Sequence, residues 1–111
     1  MKIAFTAINN TIDSRLSEVF GRTNYFILFD SETRQVDVYS NPNKNVIGAA
    51  GIQAAQFIIS HNVDLVVTGH IGDNAIRFLS LAKIKVQSNL TGIIGELIKI
   101  IENSVDLSIH K

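Results

Sequence analysis

Asp64-Leu65-Val66-Val67-Thr68-Gly69-His70-Ile71-Gly72-Asp73-Asn74-Ala75 reads as a buried strand, a glycine-flanked turn and the start of a helix. The apolar run Leu65–Val67 is too short for a helix and is bounded by turn residues, as expected of a strand covered on both faces. Gly69 and Gly72 allow a sharp backbone turn and a close approach to whatever lies above it. Asp73 or Asn74 is suited to cap the following helix by accepting a hydrogen bond from a free N–H. Ligands of open α/β sheets bind outside the carboxyl ends of the strands. His70 and its neighbours are therefore expected beside any site.

Downstream, Ala75, Phe78, Leu79 and Ala82 keep helical spacing, and Lys83 places a positive charge near the helix end. Ile84–Gln87 is a further short strand. Thr91-Gly92 opens a last helix with the face Ile94, Leu97, Ile98 and Ile101. From Ser104 on, Val105, Leu107 and Ile109 alternate, which suits an edge strand or a frayed end.

Upstream, Gly48-Ala49-Ala50-Gly51 leads into a helix ending near His61. Its expected apolar face is Ile52, Ala55, Gln56 and Ile59, widened by Phe57 and Ile58, and Asn62 suits a left-handed stop. Asn41–Asn45 is a loop around the only proline. Tyr25–Phe29 and Gln35–Tyr39, joined by a short link, form an antiparallel hairpin. The second of these strands alternates, with Val36 and Val38 opposite Asp37 and Tyr39, so it has one wet face. Ile3–Ala7 is a first, central strand. Leu16–Arg22 is expected to make one helical turn that stops at Gly21.

The element order is β-β-β-α-β-α-β-α. Its βαβ units require parallel strands and right-handed crossovers, and its hairpin requires one antiparallel strand. A mixed five-stranded sheet covered by helices follows. At 111 residues the chain is expected to be one domain over residues 1–111, without repeats or linkers.

Composition narrows the chemistry. Ten basic and ten acidic residues cancel, so nucleic acid is not an expected partner. With no cysteine, disulfides, thiolate catalysis and thiolate-held clusters are excluded within one chain. No run approaches the ~18 apolar residues of a membrane span, and the N-terminus lacks a signal-peptide pattern, so the expected location is cytoplasmic. Gly69–Gly72 fits neither the dinucleotide nor the P-loop pattern. The first strand holds no acids for a two-metal nuclease. No serine sits in a nucleophile-elbow pattern. A binding protein is the better reading than an enzyme. His70 is the best metal-ligand candidate, since a neutral imidazole suits iron or zinc. His61 belongs to a helix end, and His110 to the tail.

Several pieces together carry a resemblance. They are Lys2-Ile3-Ala4, Ser17-Glu18-Val19-Phe20-Gly21-Arg22, Tyr25-Phe26, Asn41-Pro42, Gly48-Ala49-Ala50-Gly51-Ile52-Gln53-Ala54-Ala55 and Thr68–Ala75. In this order, over roughly residues 1 to 103, the chain resembles the dinitrogenase iron–molybdenum cofactor biosynthesis family, the NifX-type domain also found at the C-terminus of NifB proteins. The resemblance implies a ribonuclease H-like, three-layer α/β/α fold with sheet order 3-2-1-4-5 and strand 2 antiparallel. It also implies non-catalytic binding or carrying of an iron–sulfur or iron–molybdenum cluster, with cluster donor or acceptor proteins as partners. In the family pattern, histidine is frequent where Val19 stands, proline where Asp73 stands, and asparagine or another polar residue where His70 stands.

The expected site is a mouth between the loops after the first and fourth strands, lined by Asn9, Asp13, Phe20, Arg22, Gly69, His70, Gly72 and Asp73. His70 would be the metal ligand. Arg22 and backbone N–H groups would offset cluster charge, and Gly48 and Gly51 would leave room for a bulky inorganic ligand. The alternative is a metal-free interaction or regulatory module for a protein partner or small anion. The expected assembly is a monomer or a weak homodimer, with Gln35–Tyr39 as an edge able to pair.

Overall fold

The computed structural model describes the backbone of residues 1–109 and the side chains of residues 1–103. Five strands, β1 (Lys2–Ala7), β2 (Tyr25–Asp30), β3 (Val36–Ser40), β4 (Leu65–Val67) and β5 (Lys85–Gln87), form one sheet in the order β3-β2-β1-β4-β5. β2 runs antiparallel to both β1 and β3, while β1-β4 and β4-β5 are parallel. Three helices, α1 (Ala50–Ser60), α2 (Asp73–Leu81) and α3 (Ile94–Ile109), cover the sheet. This is the sheet order and layering that the resemblance implies.

Strand alternation builds two cores. Ala4, Phe26, Leu28 and Val66 face Ala54, Ala55 and Ile58 of α1 and Ala75 and Leu79 of α2. Ile3, Phe5, Ile27, Phe29, Leu65 and Val67 face Ile94, Ile98 and Ile101 of α3. Each fully buried Phe, Ile or Leu contributes roughly 1.5–3 kcal/mol through removal from water. β1 and β4 are sealed on both sides, and this fixes the central strands on which the site is built.

Four local expectations change. The buried face of α1 is Ala50, Ala54, Ala55 and Ile58; Gln56 is exposed. Small residues form this stripe because α1 lies against the sheet and α2 at once. On β3, Val36 and Val38 are exposed at 39% and 41%, while Tyr39 is half-buried. Two helices cover one sheet face and a single helix the other, so the apolar side of this edge strand is the uncovered one. Tyr39 instead meets Phe57 of α1 and His61, the residue that caps its C-terminus, edge-on, at 5.4 and 4.7 Å between ring centroids. The tail is helical to Ile109, continuing α3 rather than adding a strand; His110 lies outside the described residues. The N-cap of α2 is Gly72, without a side-chain cap, and Asp73 is the first helical residue.

The β2–β3 link is held by Asp30, whose carboxylate accepts the N–H groups of Glu32 (2.9 Å) and Thr33 (3.3 Å). Those bonds, Glu32 first, hold its carboxyl below the usual carboxylate range. Arg34 lies over the Phe29 ring and pairs with Glu102, pinning this hairpin to α3. Among the described residues no helix is long and apolar enough to cross a membrane.

Candidate functional site

The site is assembled where β1 and β4 end. After β4 the chain does not turn at once into α2. Gly69 and His70 instead run alongside Ser17–Phe20 as a short parallel pairing. Gly69 N–H donates to the Ser17 carbonyl (3.2 Å), His70 N–H to the Glu18 carbonyl (2.7 Å), and Phe20 N–H to the His70 carbonyl (2.9 Å). These bonds explain why Val19 is extended and only Phe20–Arg22 forms a helical turn, of 3-10 type. Val19 and His70 are the bridge partners, so their side chains leave the backbone on the same side, and both are exposed.

Buried polar contacts make this arrangement rigid. The Thr6 and Thr68 hydroxyls bond each other at 2.8 Å across the ends of β1 and β4. The Thr23 hydroxyl lies within hydrogen-bond distance of the Ala7 and Tyr25 carbonyls. The buried Asn41 amide donates to the Gly21 and Thr23 carbonyls. None of these residues was singled out for a role from the sequence. Asn41 and Thr68 do stand inside the quoted pieces of the resemblance, and that was the available signal.

Two glycines permit the close approach of backbones. A Cβ on Gly69 would come within 2.7 Å of the Glu18 carbonyl carbon, and one on Gly21 within 2.6 Å of the Gly51 nitrogen. The second contact seats the 3-10 turn on the start of α1. A Cβ on Gly51 would in turn stand 3.6 Å from the Ala75 Cβ, so the first turns of α1 and α2 meet. Neither helix has a side-chain cap, at Ala49 or at Gly72. Two helix N-termini with their partial positive charge, that of α1 covered by the 3-10 turn, therefore stand at the same end of the sheet as His70.

The structure places the expected site residues as follows. Gly69, His70, Gly72 and Asp73 belong to the β4–α2 connection, Gly69 buried and the other three exposed, while Gly48 precedes α1 and Gly51, in its first turn, is packed against Gly21 and Ala75. Gly48 is left-handed (φ +80°), a conformation glycine adopts without strain. Phe20 is buried, packing edge-on against Phe26 beneath the mouth. The Arg22 guanidinium donates to the Lys44 (2.9 Å) and Val46 (2.7 Å) carbonyls, so it holds the 42–49 loop. Asn9 is exposed, its N–H bonded to the Ser14 hydroxyl. Asp13 lies on the α3 side, lining a groove with Glu96 and Lys99. Among the described residues no three His, Cys, Asp or Glu side chains converge to hold a metal ion.

Comparison with solved structures finds the same fold with substantial identity. The apo form of the orange protein from Desulfovibrio gigas is 28% identical, with a TM-score of 0.84, over 95% of this chain and 87% of that one. PH0822 is 30% identical, with a TM-score of 0.81, over 94% of this chain and 92% of that one. A putative NifB protein from Thermotoga is 27% identical, with a TM-score of 0.79, over 92% and 87%. No curated protein matches the chain. The family described as dinitrogenase iron–molybdenum cofactor matches residues 1–103, and the chain belongs to that family.

Proposed function

We propose that this protein is a non-catalytic accessory factor that holds a preassembled iron–sulfur or iron–molybdenum cluster, as cargo, at the mouth framed by His70, Val19 and the two helix N-termini. One observation carries the reading. An exposed imidazole stands on a rigid backbone pairing at the carboxyl end of the sheet, between two helix starts that have no side-chain caps. A bare metal ion needs several protein donors, and the described residues do not bring three together. A preformed cluster brings its own inorganic ligands. It needs one ring nitrogen, room, and N–H groups to offset its negative charge. Asp73 puts a carboxylate in the first turn of α2, where it competes with an anionic cargo for the helix dipole.

Membership of the iron–molybdenum cofactor family supports this reading over other anionic cargo. Partner proteins would then be cluster donors or acceptors. The exposed Val19, in the place where the family pattern is rich in histidine, favours a second reading. In it the domain is a metal-free module for a protein partner or small anion.

The deciding experiment is an anaerobic titration with isolated iron–molybdenum cofactor and, separately, with a [4Fe–4S] cluster. Visible absorption and co-elution on a sizing column are followed for the wild type and for His70→Ala. Stoichiometric co-elution that is lost in the variant is the expected result. Retention by both proteins removes His70 as the ligand. Association with neither cluster overturns the carrier reading and leaves the second.

A further inference from the structure

Among the described residues β5 is an unpaired edge of the sheet, at the opposite margin from β3. In parallel pairing, successive residues alternate in the side to which their backbone groups point. Lys85 N–H donates to the Asp64 carbonyl, and Thr68 N–H donates to the Gln87 carbonyl. Lys85 and Gln87 therefore turn their backbone groups toward β4, and Val86 turns its N–H and C=O outward. Beside this edge, between β5 and α2, lies a groove of about 610 Å³. Leu65, Ile76, Ile84 and Val86 supply its apolar lining, and Lys83 and Lys85 its charge.

Lys83 is held in an uncommon conformation. It follows α2 with φ +62°, completing the helix stop through Lys83 N–H to the Ser80 carbonyl and Ile84 N–H to the Leu79 carbonyl, both 2.9 Å. Glycine or asparagine is the relaxed choice there. A lysine in this conformation therefore stands at the rim of the apolar groove at some cost in backbone strain.

We propose that β5 and this groove dock an extended, acidic segment of a partner protein, which adds to the sheet as a sixth strand. The outward Val86 N–H and C=O give main-chain pairing, and alternate side chains of the incoming strand reach the apolar lining. Charge selects the occupant. Two lysines line the groove, and among the described residues lining it there is no carboxylate. The nearby Asp64 carboxylate already accepts the Lys2 N–H at 2.8 Å. Edge lysines repel a second copy of the same edge, and an acidic strand is the one they admit.

The test uses the full chain and two labelled peptides with the same alternating valines, one carrying glutamate and the other lysine between them. Fluorescence anisotropy should show binding of the glutamate peptide alone, weakening as salt rises. Amide spectra should place the largest shift at Val86. In Lys83→Gly/Lys85→Gln, affinity should fall roughly tenfold. The same variant should melt no lower than the wild type, because glycine relaxes position 83; this separates lost docking from lost folding. Equal binding of both peptides, no binding of the glutamate peptide, unchanged affinity in the variant, or shifts mapped away from β5 would each overturn the proposal. So would a salt-sensitive dimer that buries Val86, because the occupant would then be a second copy.

Discussion

Val19 and His70 are partners in a parallel bridge between two loops that the sheet brings together, and both side chains point to solvent. Neighbouring positions on the same face are close enough for their side chains to share a ligand. Val19→His should therefore create a pair of imidazoles at one exposed place. Calorimetric titration with nickel or zinc should show binding about tenfold or more tighter than wild type. Val19→His/His70→Ala should return to the wild-type level. If the double variant kept the gain, the two side chains would not share a metal.

The tight seating of Gly69 against Glu18 makes a second prediction. In Gly69→Ala, the new methyl meets the carbonyl groups of Ser17 and Glu18. These are backbone atoms that also accept the N–H bonds of Gly69 and His70, so they cannot move aside without breaking the pairing. A loss of about 2 kcal/mol or more is expected by chemical denaturation. Gly72→Ala is the control. A Cβ there meets nothing within 4 Å, and its φ of −77° is ordinary, so it should change stability by less than about 0.5 kcal/mol.

The Thr6–Thr68 hydroxyl pair calls for a double-mutant cycle. Either single change to valine leaves a buried hydroxyl without its partner and should cost about 1–2 kcal/mol. Thr6→Val/Thr68→Val removes both polar groups at nearly constant shape. It should be less destabilising than the sum of the singles, by about 1 kcal/mol or more. Simple additivity would mean that the hydroxyls contribute independently.

Much of this architecture was legible from Asp64–Ala75 and the hairpin, because a short apolar run flanked by glycines and a five-residue alternation have few other readings. Less legible was which side of an element faces protein. Val36 and Val38 have the period of a half-buried strand, but period does not say where a helix lies. Their face is the one that α3 leaves largely uncovered. On α1, small alanines are buried and Gln56 is exposed, because closeness to the sheet and to α2 outweighs hydrophobicity. The tail alternates in sequence, yet the 94, 98, 101, 105 spacing carries the helix on to Ile109. His70 and the glycines mark the β4–α2 connection already in the sequence. The role of Arg22 was not legible, since nothing in its local sequence reveals that two carbonyls more than twenty residues away take its guanidinium.

Arg22 permits a separation of two roles. The 42–49 loop carries Ile47 at 95% exposure and reaches α1 through the left-handed Gly48. Its carbonyls at Lys44 and Val46 are both gripped by Arg22. Arg22→Met should release this loop at a cost of about 1 kcal/mol, read as faster tryptic cleavage after Lys44 and faster amide exchange across the loop. Arg22→Lys keeps the charge, but its shorter side chain does not carry a nitrogen to the position of Nη1, the one atom that meets both acceptors. If Arg22 serves the mouth by shaping the loop, Lys and Met should loosen it alike and weaken cluster retention alike. If its charge is what matters, Lys should retain the cluster while Met does not. Full protection of the loop in Arg22→Met would show that the two hydrogen bonds do not hold it.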